Sequence, residues 1–115
     1  MTDITIWHNP RCTKSRQTLA LLQERGIDPQ VRLYLTDPPS VAEIRAALAA
    51  MNLPALAAMR VKEPEFRAEG LSKDSPEDAL IAAMARVPKL IERPMVLANG
   101  KAALGRPPEA VLAIL

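Results

Sequence analysis

The sequence predicts an α/β fold: a mixed four-stranded sheet with helices packed on it and a helical insertion in the middle. Three observations lead there. A strand, a helix and a second strand follow one another between Ile4 and Leu35. Near the end, an Asn-Gly pair at 99–100 joins two short apolar runs. Between these two regions lie three segments with helical signals.

Taken in order, "ITIW" (Ile4–Trp7) reads as a short strand ended by the turn "HNP". From about Thr13, "TKSRQTLALLQERG" reads as a helix, with Ser15, Leu19 and Leu22 on one face and Gly26 suited to a left-handed stop. "QVRLYL" alternates Val31, Leu33 and Leu35 with Arg32 and Tyr34, the pattern of a half-buried strand. Strand, helix and strand at this spacing close as a right-handed parallel crossover. "PPS" opens a second helix with Ser40 as cap and Glu43 three residues on. Its apolar stripe is Val41, Ile44, Leu48 and Met51. A shorter helical piece at Ala55–Met59 and another from Pro76 to about Arg86 follow. "MVLANGKAALG" is a hairpin, because Asn-Gly suits the tight turn that strand twist demands. "RPPEAVLAIL" closes the chain as a helix that tolerates proline in its first turn. The order βαβ, helical block, ββα is the thioredoxin/glutaredoxin-like plan with a helical insertion.

At 115 residues the chain is expected to form one domain over 1–115. A net charge of +2 is too slight to argue for nucleic acid, and 3% aromatics leave little to stack on bases. No apolar run approaches a membrane span, and the first residues lack the basic-then-apolar order of a signal peptide. A single cysteine cannot form an internal disulfide, so a reducing cytoplasm fits best.

That cysteine is the chemical centre of the sequence. Cys12 stands in "WHNPRCTKSRQTL", among Arg11, Lys14 and Arg16, with no acid between Asp3 and Glu24. A lone cysteine is often a small buried hydrophobe, with basic neighbours that are merely solvated. Here it falls between the first strand and first helix, where unpaired N–H groups and the helix dipole favour an anion. Together with Arg11, Lys14 and His8 they are expected to lower the thiol pKa. Two cysteine motifs are excluded. A phosphatase-type loop needs arginine at position 18, which is Thr; a dithiol redox motif needs cysteine at 15, which is Ser. One Cys and one His are too few soft ligands for a metal. Redox chemistry must therefore draw its second thiol from another molecule.

The stretches "ITIWHNPRCTKSRQTL", "YLTDPPS", "LIERPMVL" and "GRPPEAVL" resemble, in order and over essentially the whole chain, the glutaredoxin-coupled arsenate reductase family. The resemblance implies that Cys12 attacks arsenate while Arg60, Arg93 and Arg106 hold the oxyanion. It implies that His8 and Ser15 tune the thiolate and orient the anion, and that glutathione and then glutaredoxin supply electrons. No bound cofactor is implied, and a monomer is expected. Arg11, Thr13 and Lys14 stand where well-studied members carry small residues, and the chain stops soon after its last helix. Both departures imply a short, chromosomal-type branch, with another oxyanion as the alternative physiological substrate.

The arginines also have a local logic. Of ten in the chain, Arg93 and Arg106 each precede a proline, which biases them to extended backbone beside strands three and four. In this fold those positions lie next to the carboxyl end of strand one. Planar guanidinium forks suit a tetrahedral oxyanion. Arg60 is placed by the resemblance alone. Pro94, leading into strand three, occupies the position that is cis in thioredoxin-like folds. Two further functions compete: a monothiol glutathione-dependent oxidoreductase with another substrate, and a non-enzymatic regulator of RNA polymerase from the same superfamily.

Overall fold

The computed structural model describes residues 3–115. The chain forms two compact units, one ending at Asp37 and resuming at Arg93, the other spanning Pro38–Glu92.

The first unit holds the sheet. β1 (Ile4–Trp7) is followed by α1 (Thr13–Glu24) and β2 (Gln30–Arg32); after the second unit come β3 (Met95–Ala98) and β4 (Lys101–Leu104). The strand order is β2-β1-β3-β4, with β1 parallel to β2 and antiparallel to β3, and β4 antiparallel to β3. This is the thioredoxin-like mixed sheet that the element order predicts. β1 and β3 are central, so both carry apolar residues at nearly every position rather than alternating ones. Ile6, Leu22, Val96, Ala98, Val111 and Ile114 form the core. Between β3 and β4, Asn99 (φ 56°) and Gly100 (φ 73°) both take left-handed torsions, the two-residue turn that pairs Ala98 with Lys101.

Two elements of this unit differ from the sequence reading. β2 ends at Arg32, and the buried side chain is Tyr34, at 1% exposure, whereas Val31, Leu33 and Leu35 are more than 40% exposed. The cause is a turn. The N–H groups of Thr36 and Asp37 both donate to the Leu33 carbonyl, and Arg32 Nε donates to the Asp37 carbonyl, so strand alternation stops at Arg32. The closing segment Pro108–Ile114 is a 3₁₀ helix, with Ala110 N–H donating to the Pro107 carbonyl in the tighter i→i+3 pattern. Two prolines at its start leave few N–H groups for an α-helical ladder.

The second unit is helical: α2 (Val41–Met51), a 3₁₀ turn at Ala55–Ala58, α3 (Pro64–Ala68), α4 (Glu77–Arg86) and a 3₁₀ turn at Pro88–Leu90. α3 and the last turn have no counterpart in the sequence reading, being too short for a period to emerge. Ser40 and Glu43 form a full capping box at the start of α2. α2 packs on α4, burying Ile44 and Leu48 with Leu80 and Ile81 among the unit's core residues, while Val41 stays exposed. Among the described residues no helix is long and apolar enough to cross a membrane.

Candidate active site

β1 ends at Trp7, and the chain then turns through His8–Arg11 into α1. Backbone and side-chain contacts fix this turn. The His8 N–H donates to the Arg32 carbonyl (2.8 Å), prolonging the parallel ladder, and the Cys12 N–H donates to the Asn9 carbonyl (3.0 Å). Asn9 Oδ1 accepts the Arg11 N–H (3.0 Å). Arg16 reaches back along the outside, with Nη1 donating to the Pro10 carbonyl at 2.9 Å.

Cys12 is the N-cap residue of α1, with an extended backbone (φ −95°, ψ 124°). The helix start is unusual in two respects. No side chain caps it, and its first turn contains no acid. Its leading N–H groups are therefore open to the sulfur instead of being consumed by a hydroxyl or carboxylate. Burial pushes the Cys12 thiol up. The Ser15 N–H, the Arg93 guanidinium (by charge and by hydrogen bond) and the Lys14 N–H pull it down, and the net is a thiol below the ordinary cysteine range. The sequence reading credits the helix N–H groups together with Arg11, Lys14 and His8; the structure keeps the backbone N–H groups and supplies the side-chain charge from Arg93 instead. Lys14 acts through its N–H, and Arg11 lies exposed.

The surroundings of His8 also work against a positive charge on its ring. The ring is buried, and burial, followed by the nearby charge of Arg16, lowers its pKa, which disfavours the cationic form. Its visible role is structural. His8 Nδ1 and Ser15 Oγ share a hydrogen bond of 2.6 Å, and Ser15 Oγ also accepts the Asn9 N–H at 3.0 Å. Ser15, fully buried, thus ties the turn to the first helical turn.

On the other side of the sulfur, Arg93 leads into β3 through a cis bond to Pro94, and Arg106 leaves β4 through a cis bond to Pro107. Arg106 Nη1 donates to the Arg93 carbonyl (3.1 Å). His8, Cys12, Ser15, Arg93, Pro94 and Arg106 all belong to the sheet unit. Arg60 belongs to the helical unit, where its N–H donates to the Leu90 carbonyl (2.8 Å) and its guanidinium is paired with Glu63. Asn9 also shapes the turn that carries Cys12 and is not singled out by sequence reasoning. It acts through its Oδ1, its carbonyl and its N–H within the turn, and no motif marks that role.

Comparison with known proteins agrees with this arrangement. The sequence model of the ArsC family matches residues 7–114. An arsenate reductase of Neisseria meningitidis is 48% identical over the full length of both chains. The uncharacterized protein YfgD of Escherichia coli K12 is 50% identical, covering 98% of this chain and 97% of that one. Among solved structures, an arsenate reductase from Vibrio cholerae superposes with a TM-score of 0.95 at 50% identity, covering 99% of this chain and 98% of that one. With nearly every residue matched and a thioredoxin-like sheet presenting its one thiol at a helix start, the chain belongs to the ArsC family.

Proposed function

We propose that this protein is a cytoplasmic arsenate reductase that draws its electrons from glutathione and glutaredoxin. The observation that carries the reading is a sole cysteine at an uncapped, acid-free helix start with Arg93 facing its sulfur. Such a thiol is both nucleophilic and set in a positive field suited to an anion.

In the proposed reaction the Cys12 thiolate attacks the arsenic of arsenate. A hydroxyl leaves as water once protonated, and an S–As bond forms. A glutathione thiolate then attacks the Cys12 sulfur. The new S–S bond replaces the S–As bond, whose electron pair stays on arsenic, so As(V) becomes As(III) and arsenite departs. A second thiol, delivered through glutaredoxin, attacks the glutathionyl sulfur and returns Cys12 to its thiolate. Two electrons enter and two thiols are consumed. Ser15 occupies the place where a resident second thiol would stand. Arg93 and Arg106 hold the oxyanion, and the resemblance assigns Arg60 the same role. His8 and Ser15 support the thiolate as an uncharged hydrogen-bonded pair.

Arsenite formation should require glutathione together with glutaredoxin. Full-rate reduction with thioredoxin alone would defeat the scheme. If arsenate is inert but a Cys12–glutathione disulfide still exchanges quickly with glutaredoxin, the protein is an oxidoreductase with another substrate. Arg93→Lys and Arg106→Lys keep the charge but lose the two-pronged fork, so each should lower turnover by about tenfold or more. Unchanged turnover in both would remove them from the site.

A further inference from the structure

Gly105 follows β4 and differs from the other glycines of the chain. Gly26, Gly70 and Gly100 have positive φ and open space where a side chain would go; Gly105 has neither. A Cβ placed on it would lie 2.4 Å from Thr18 Oγ1, 3.1 Å from Thr18 Cγ2 and 2.7 Å from Pro94 Cγ. Real Cβ atoms essentially never come within 3.0 Å of such neighbours. The missing side chain at 105 therefore serves space, not torsion.

Neither neighbour can move aside easily. Thr18 is fully buried, and its hydroxyl donates to the Lys14 carbonyl at 2.8 Å, one turn back in α1. Pro94 is a fully buried ring, and its carbonyl accepts the Gly105 N–H at 2.9 Å, which holds residue 105 against it. The bare Cα of Gly105 is thus gripped between α1 and the segment that carries Arg93. An added Cβ would press on Thr18 of α1 and on Pro94; Cys12 caps the same helix, and the Arg93 guanidinium that hydrogen-bonds its sulfur immediately precedes that proline. We propose that Gly105 is a positioning residue for Cys12: by letting Thr18 close onto the Arg93–Pro94 segment, it sets the spacing between the Arg93 guanidinium and the sulfur. This rests on reading Cys12 as the reactive nucleophile and is independent of whether arsenate is its substrate.

The test follows alkylation of Cys12 by iodoacetamide against pH, with no arsenate present. In folded Gly105→Ala the midpoint should rise by about one pH unit, the scale of weakening one charged hydrogen bond to the sulfur. In Gly105→Ala/Thr18→Ala the new Cβ gains the room that Thr18 vacates, and the midpoint should return at least halfway to the wild-type value. Thr18→Ala alone is the reference for losing the hydroxyl. A folded Gly105→Ala protein with the wild-type midpoint overturns the proposal, even if its Tm has dropped. If Gly105→Ala does not fold, the double variant decides. Folding with a near-wild-type midpoint shows that the Thr18 contact is the critical one. A raised midpoint, or failure of the double variant to fold as well, places the constraint elsewhere and overturns the proposal.

Discussion

At the scale of single residues, the question is which charges reach the Cys12 sulfur. Four basic or ionisable side chains lie within a few residues of it in sequence, yet the guanidinium that faces it comes from Arg93. Arg93→Ala should raise the Cys12 alkylation midpoint by about one pH unit, whereas Arg11→Ala, an exposed position, should leave it nearly unmoved. Equal effects of the two would contradict the assignment. His8 makes a separate prediction through stability. Its folded pKa is lowered, so above the unfolded value of about 6.5 neither state binds the proton and the neutral ring contributes in full. As pH falls below that value the unfolded chain gains a proton that the folded chain resists, and stability drops until the folded pKa is passed. Urea midpoints at pH 7.5 and 5.5 should therefore diverge for the wild type. They should diverge less for His8→Asn, which keeps a polar atom near Ser15 Oγ but cannot titrate. Cys12, His8 and Ser15 could be found from sequence because they are close neighbours along the chain with distinctive chemistry. The contact of Arg93 with the sulfur and the close fit of Gly105 are set by what folds against them from far along the chain, so local charge points to Arg11 and Lys14 instead, and nothing local marks Gly105.

At the scale of elements, the features readable from sequence are those decided within a few residues. The Asn99-Gly100 turn needs two left-handed torsions, and these residue types supply them locally. The Ser40–Glu43 box satisfies the α2 start with its own side chains, Ser40 N–H donating to Glu43 Oε1 at 2.9 Å and Glu43 N–H to Ser40 Oγ at 3.1 Å. Ser40→Ala should therefore cost about 1 kcal/mol in chemical denaturation, with Ser40→Asp recovering most of it. A cost near zero would mean that packing of α2 on α4 alone holds the helix start. What the period could not settle is which face an element buries. The alternation in "QVRLYL" is real, but the chain turns after Arg32 and buries Tyr34 instead of the aliphatic positions. Likewise the apolar spacing of "PEAVLAI" announced a helix, but the prolines before it tightened that helix to 3₁₀.

At the scale of the whole molecule, fold and chemistry meet at one place. A mixed sheet sets the amino end of α1 beside the residues that enter β3 and leave β4, and the only thiol of the chain stands there. A protein built this way can start a thiol reaction but cannot close the electron count alone. In the proposed reaction glutathione completes it, and that half-reaction leaves a covalent record. The most direct test is the intact mass of the protein after incubation with arsenate and glutathione, with glutaredoxin omitted so that the product accumulates. The account predicts the mass of one glutathionyl group added at Cys12, appearing only when both reagents are present and absent in Cys12→Ser. An unmodified protein under these conditions, or an adduct that forms equally without arsenate, would contradict it.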